Sequence, residues 1–160
     1  MTVRLIGGAL ILAAALYVVY SCRRTRRERQ ALLWSLVGAL GYMETAIRWQ
    51  KMPLPRIFRT LAQRPGCGKH FEKLADMLQS NMPLQMSWEK AFDDLPCGAA
   101  EIVRRVELEG DGERLAGVLR GAQEELAELC RRTEASDRQR GRISAAAVLS
   151  AAGLVIILLL

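Results

Sequence analysis

Each end of the chain contains a long apolar stretch. The first runs from Leu5 to Tyr20, and the second runs from Ile143 to Leu160 and is interrupted only by two serines. A helix of about 20 residues, at 1.5 Å per residue, crosses a hydrocarbon core of roughly 30 Å. We therefore predict an N-terminal transmembrane helix in residues 1–22 and a C-terminal one in residues 143–160.

Between these ends, apolar residues recur at intervals of three and four positions, the period of amphipathic helices, and no stretch alternates as a strand does. The pattern predicts helices over residues 29–49, 55–64, 69–79 and 99–108. A further helix is expected to begin at Ser87, whose hydroxyl would cap it. The prediction is an all-α fold: a six-helix antiparallel bundle in residues 23–142, flanked by the two transmembrane helices.

A short internal repeat lies within this pattern. Met52-Pro53-Leu54 recurs thirty residues later as Met82-Pro83-Leu84, and Phe58 and Trp88 follow at the same offset. Each copy joins a longer helix to a shorter one. We interpret the two copies as helical hairpins that pack together.

Gly110, Asp111 and Gly112 predict a structural turn before the last helix, with Asp111 as its N-cap. No proline follows Pro96, so this last helix is expected to continue through the basic residues into the second membrane segment. Gly141 is the position where we expect a hinge.

The net charge of +6 is concentrated beside the two apolar ends. Residues 23–29 hold five arginines against one acid, and residues 131–142 hold five against two, whereas residues 30–130 carry 12 basic and 14 acidic residues. Basic residues in short flanking segments stay on the cytoplasmic side. The expected topology is a two-pass protein of the cell membrane whose central domain is cytoplasmic. The membrane topology anchors are Arg23, Arg24, Arg26, Arg27, Arg29, Arg138, Arg140 and Arg142.

This distribution excludes nucleic acid as the partner and indicates the lipid bilayer instead. One alternative is export, since Val19-Tyr20-Ser21-Cys22 loosely resembles the site that precedes a lipid-modified cysteine. Bulky Tyr20 and the arginines after Cys22 oppose that alternative, because translocating the basic cluster would run against the charge bias.

The residues that carry chemistry do not assemble into a recognisable motif. The four cysteines form no C-x-x-C pair, and the single histidine, His70, has no nucleophile or acid placed by motif to partner it. Gly66-Cys67-Gly68-Lys69 lacks the first glycine and the Ser/Thr of a phosphate-binding loop. We expect no enzymatic activity, no cofactor and no metal site.

The whole layout resembles the stage III sporulation protein AB family. The resemblance rests on Leu40 to Glu44, the break at Met52-Pro53-Leu54-Pro55, the turn at Gly110-Asp111, and Gly153 to Leu160. Members of that family tend to have a Leu-Gly pair shortly before the aspartate matched to Asp111. Here those positions read Glu107-Leu108, with glycines at 110 and 112 instead.

The resemblance implies a soluble part similar to the cytoplasmic domains of type II secretion inner-membrane platform proteins. It also implies a place, on the mother-cell side, in a channel that joins mother cell and forespore during endospore formation. The implied partners are a secretion-type ATPase of the same operon and other membrane subunits of the channel, and a homo-oligomer is compatible with this arrangement. The alternative is a regulatory or adaptor membrane protein that recruits an unrelated cytoplasmic partner.

Overall fold

The computed structural model describes the backbone of residues 2–96 and 98–159, and the side chains of residues 13–14, 16–18, 20–96, 98–137 and 150. Every regular element in this part of the chain is helical, which confirms the all-α prediction. The helices are α1 (Thr2–Arg48), α2 (Leu54–Ala62), α3 (Gly68–Gln79), α4 (Leu84–Ala91), α5 (Ala99–Arg104) and α6 (Gly112–Leu159). Cys97 lies outside the described residues, as do most side chains of the two predicted transmembrane segments.

The chain forms two compact units. The terminal unit comprises residues 1–29 and 132–160, and the central unit comprises residues 30–131. Helices α1 and α6 each contribute residues to both units, while α2 to α5 belong to the central unit alone.

In the central unit, α1 and α6 lie side by side and run in opposite directions. A Cβ added at Gly112 would lie 3.6 Å from Ile47, and one added at Gly41 would lie 2.9 Å from the side-chain amide nitrogen of Gln123. Helix α2 packs on α3, α3 on α4 and α4 on α5. The apolar stripes of all six helices meet in one core, because each amphipathic helix must bury one face.

The two Met-Pro-Leu copies adopt the same turn. Lys51 and Asn81, the residues before each methionine, both have positive φ, at 48° and 58°. Pro53 and Pro83 then precede α2 and α4 with extended backbone, since proline fixes φ and suits a helix start. The repeat seen in the sequence is therefore a repeat of structure at the helix starts.

Aromatic rings from α2, α3 and α4 hold this part of the core together. Phe58 and Trp88, which occupy matching positions in the repeat, lie 6.4 Å apart between ring centroids. Phe71 of α3 contacts both rings at 6.3 Å. Trp88 also donates from Nε1 to the carbonyl of Val103 at 2.8 Å, so one side chain ties α2 and α3 to α5. All these side chains are fully buried.

Two predicted boundaries were wrong. Helix α4 begins at Leu84, so Ser87 is not a cap; it is buried inside the helix and its hydroxyl donates to the carbonyl of Pro83 at 3.0 Å. The fifth helix ends at Arg104 rather than at residue 108. The chain after it stays ordered without a helix because the Gln85 side chain bonds the carbonyl of Val106 and the N–H of Leu108.

The prediction of one long final helix is confirmed, since α6 runs from Gly112 to Leu159. The backbone is helical at Gly141, and the hinge expected at that position stays a prediction. A single glycine inside a helix costs about 1 kcal/mol, which a helix of this length tolerates.

Candidate functional site

Charge divides the central unit into two segments of opposite character. Residues 45–71 contain six Lys or Arg residues and no Asp or Glu. Residues 72–131 contain seven basic residues and thirteen acidic ones. The first segment covers the end of α1, all of α2 and the start of α3, so its surface is strongly positive.

The basic residues of the acidic segment are largely neutralised by neighbours. Five of the seven form ion pairs with carboxylates at N···O distances between 2.6 and 3.9 Å. These pairs are Arg104–Asp93, Arg105–Glu125, Arg114–Glu107, Arg120–Glu124 and Arg131–Glu128. A sixth base, Lys73, donates to the carbonyl of Lys90 at 3.0 Å.

The basic segment is different. Among the residues that the structure describes, the single ion pair made by its Lys and Arg residues is Arg48 with Glu44, at 3.6 Å. The Arg64 guanidinium lies 4.8 Å from the ring centroid of Tyr42, a cation–π contact that leaves its charge uncompensated. Lys51, Arg56 and Arg59 are exposed and have no carboxylate partner in that part of the chain.

We call Lys51, Arg56 and Arg59 the α2 basic face. Arg56 and Arg59 stand three residues apart on α2 and therefore share one side of the helix. The opposite side of α2 carries the buried residues Ile57, Phe58 and Leu61. Burial of that apolar side fixes α2 on the core and holds the two arginines toward solvent.

The first turns of α2 and α3 differ in charge from those of α5 and α6, whereas α4 has no acid in its first turn. The N-terminus of a helix favours acidic residues, by about 0.3–1 kcal/mol each at the surface. Helices α5 and α6 follow this rule, with Glu101 and Glu113 in their first turns. Helices α2 and α3 have no acid in the first turn and place Arg56 and Lys69 there instead. Arg56 and Lys69 thus slightly oppose helix stability, whereas Arg48 and Arg59 stand in the last turns of α1 and α2, where positive charge is favoured.

Trp49 adds an apolar element next to this surface. Its side chain is 75% exposed and directly follows the end of α1. The Arg48 guanidinium lies 5.6 Å from its ring centroid. An exposed tryptophan in contact with an arginine has the composition of an interaction hot spot.

The predicted topology anchors are partly visible in the terminal unit. Arg23, Arg24, Arg26, Arg27 and Arg29 are all exposed. Arg24 pairs with Glu28 at 3.0 Å, and Arg26 pairs with Asp137 of α6 at 3.3 Å. The side chains of Arg138, Arg140 and Arg142 lie outside the described residues.

The residues just before these arginines are apolar and exposed. Leu16, Tyr17, Val18 and Tyr20 are each at least 59% accessible. Within the part of the chain that the structure describes, no helix has the length and apolarity needed to cross a membrane.

The predicted structural turn at 110–112 forms before α6. Gly110 has a φ of 126°, a conformation that side chains rarely adopt. Asp111 stands directly before the helix: its carbonyl accepts from the N–H of Leu115 at 2.9 Å and its carboxylate accepts from that of Gly112 at 2.7 Å. The carboxylate thus occupies the end of α6 where negative charge is favoured.

The residues considered as chemical candidates have separate structural partners. His70 is buried, stacks on Phe92 and places Nδ1 3.0 Å from the carbonyl of Ala91 and 3.3 Å from the Asp94 carboxylate. Cys67 is buried against Ser35, whose hydroxyl accepts from its N–H at 3.2 Å. In the part of the chain with described side chains, no group of three His, Cys, Asp or Glu residues is arranged to hold a metal ion.

Sequence reasoning did not single out the α2 basic face. The signal was available, because no acidic residue occurs between Glu44 and Glu72. The net charge of residues 30–130 as a whole conceals it, because the positive and negative segments nearly cancel there.

Together the fold and these surfaces define a small all-α protein, with a helical core domain and two helices of nearly fifty residues that extend to the chain termini. Comparison with protein families identifies it further. The chain belongs to the stage III sporulation protein AB family, whose model matches residues 4–160. Its role is accordingly in sporulation. No curated protein and no solved structure matched the chain.

Proposed function

We propose that the protein is a non-enzymatic membrane platform component of a secretion-like channel between mother cell and forespore. The chain would be a six-helix antiparallel bundle in residues 23–142, flanked by transmembrane helices in residues 1–22 and 143–160. In this role it docks the cytoplasmic secretion-type ATPase of the same operon and contacts other membrane subunits of the channel.

The observation that carries the proposal is the composition of the terminal unit, since the central unit has a core of its own. Exposed Leu16, Tyr17, Val18 and Tyr20 are followed, after Ser21 and Cys22, by five exposed arginines. Apolar and aromatic side chains followed by basic ones are the pattern of a helix that leaves a membrane on its cytoplasmic side. The arginines near an anionic leaflet would each contribute about 1 kcal/mol.

The central unit supports a scaffolding role. Its core is continuous across six helices, and every buried side-chain nitrogen or oxygen in the described part of the chain has a hydrogen-bond partner. Such a core fixes the surface geometry, which is what a docking platform requires. Family membership in the stage III sporulation proteins supports the cellular setting.

The docking proposal is tested by co-purification. The full-length chain, solubilised in mild detergent from sporulating cells, is expected to retain the ATPase encoded in the same operon. The comparison is a chain that lacks residues 143–160 but keeps the central unit. It tests whether retention of the ATPase requires the C-terminal membrane segment. Failure of the purified ATPase to bind the full-length chain at micromolar concentration contradicts the proposal.

The topology needs a cysteine that a reagent can reach. Cys67 and Cys130 are buried, so their protection from a thiol reagent would not report on the membrane side. Gln79 is exposed at the end of α3, and Gln79→Cys provides an accessible thiol. We expect an impermeant maleimide to label this variant, beyond the wild-type level, only after the membrane is opened. Labelling in intact cells would place the central unit outside the cytoplasm.

A further inference from the structure

We propose that the α2 basic face is the docking surface for an acidic segment of the cytoplasmic protein partner. This inference rests on the proposed function, because the partner is the ATPase that the platform docks. It adds the location of the contact and the chemistry that the partner must present there, namely a cluster of Asp and Glu side chains.

The first argument is the absence of internal neutralisation. Lys51, Arg56 and Arg59 lie in a segment of 27 residues without a single acid, and none of them has an ion-pair partner among the described residues. Five of the seven bases of residues 72–131 do have carboxylate partners, although their surroundings are equally exposed. If both segments were simply solvated surface, their bases would not differ in this way in how often they pair with carboxylates.

The second argument is the placement of the charges on the helices. Arg56 stands in the first turn of α2 and Lys69 in the first turn of α3, where the helix dipole disfavours positive charge. Interaction with the helix dipole therefore does not explain Arg56 or Lys69, although it does favour Arg59 in the last turn of α2. An anionic partner that approaches this surface gains from the side-chain charges.

The third argument is geometric. Burial of Ile57, Phe58 and Leu61 fixes the rotation of α2, so Arg56 and Arg59 are presented together toward solvent. Trp49, 75% exposed, offers an apolar contact at the end of α1, before the turn that contains Lys51. Arginine and tryptophan are the residues that most often dominate protein–protein binding energies.

The position of the face favours a protein over a lipid headgroup. Eighteen residues of α1 separate Gln30, where the central unit begins, from Arg48, which corresponds to about 27 Å along the helix axis. Attraction to an anionic membrane decays within a Debye length of about 10 Å. The segment predicted to flank the membrane, residues 23–29, ends immediately before Gln30.

The test uses the full-length chain in nanodiscs of phosphatidylcholine and the purified ATPase of the operon. The double reversal Arg56→Glu with Arg59→Glu is expected to raise the Kd at least about tenfold, because like charges would then face each other. Arg56→Lys with Arg59→Lys should stay within about threefold of wild type. The matched control, Lys90→Glu with Arg120→Glu, makes the same change in net charge on α4 and α6 and should change the Kd less than about twofold.

Folding of the variants is checked by thermal unfolding, and the Tm of the double reversal is not expected to fall because neither arginine has a side-chain partner in the described structure. If the wild-type chain does not bind the ATPase, the proposed function fails and this inference with it. If the wild type binds but the double reversal binds equally well, this inference is overturned while the proposed function stands.

Two further outcomes would also overturn it. In one, vesicles containing phosphatidylglycerol bind the wild type but not the double reversal, while both bind the ATPase equally well. That result would mean that the face recognises lipid. In the other, the double reversal abolishes only self-association in sedimentation experiments, so that the face recognises a second copy of the chain. Loss of ATPase affinity with intact vesicle binding and an unchanged mass supports the inference.

Discussion

Residues 45–71 and residues 72–131 contribute to one core yet distribute their charges differently. Both segments bury aromatic side chains against each other, Phe58 and Phe71 from the first and Trp88 from the second. At the surface, the second segment pairs its bases with acids and begins α5 and α6 with acids. The first segment has bases but no acids, and it places a base in the first turn of α2 and of α3.

This difference distinguishes the buried side chains, which stabilise the fold, from the surface charges, which contribute little to stability. Exposed ion pairs contribute about 0–1 kcal/mol each, whereas burying one large side chain contributes several times more. The central unit could therefore exchange most of its surface charges at little cost in stability. A segment of one sign, whose Arg56 and Lys69 stand in first turns that disfavour positive charge, is then better explained by binding than by folding.

The largest expected effect concerns the core that both segments share. Trp88→Ala removes a fully buried ring that contacts Phe58, Phe71 and Phe92 and a hydrogen bond to Val103. We expect the free energy of unfolding of the full-length chain to fall by about 3–5 kcal/mol. Trp49→Ala, the same change at an exposed tryptophan, should cost less than about 0.5 kcal/mol. Equal losses would mean that the two segments do not share one core as described.

The second prediction concerns the acidic segment. Asp111→Ala removes the carboxylate that accepts from the N–H of Gly112 at the start of α6. The expected loss of stability is about 1 kcal/mol. Glu109→Ala, an exposed acid two residues earlier, should leave the unfolding temperature nearly unchanged. If both variants lose the same amount, net charge rather than the local bond stabilises this end of the helix.

The third prediction inverts the dipole arrangement. Arg56→Glu places an acid in the first turn of α2 and should raise the free energy of unfolding by about 0.3–1 kcal/mol at low ionic strength. Glu113→Lys makes the opposite change in α6 and should lower it by a similar amount. Both effects are expected to shrink in 1 M salt, where the Debye length is about 3 Å. A stability decrease for Arg56→Glu would show that Arg56 has a structural role.

Much of this fold follows from the spacing of apolar residues. The helices predicted over residues 29–49, 55–64 and 69–79 appear, the last with the same final residue, because each has one apolar face to bury. The Met-Pro-Leu repeat also indicated its structure, since proline restricts the backbone wherever it occurs.

Other features depended on contacts between distant residues. Residues 105–108 remain non-helical because Gln85, more than twenty positions away, bonds their backbone. Ser87 resembles a cap in sequence, but α4 already begins at Leu84, directly after Pro83. The α2 basic face was visible as a gap in acidic residues. Its unpaired state was not, because ion pairing depends on which carboxylates the fold brings near.

The smallest predicted effect lies in the two repeated turns, where Lys51 and Asn81 have nearly the same positive φ. Asparagine adopts this conformation more readily than lysine does. Lys51→Asn should therefore raise the free energy of unfolding by roughly 0.3 kcal/mol, and Asn81→Lys should lower it by a similar amount. Paired measurements of thermal unfolding on the full-length chain can resolve the difference between these two variants.

The same pair of variants connects this turn with the basic segment. If Lys51 contributes its charge to docking, Lys51→Asn should gain stability and lose affinity for the ATPase, while Asn81→Lys should lose stability and leave affinity unchanged. If Lys51→Asn gains stability with no loss of affinity, the docking face is confined to Arg56 and Arg59. A loss of stability for Lys51→Asn would mean that Lys51 makes a contact that outweighs its backbone conformation.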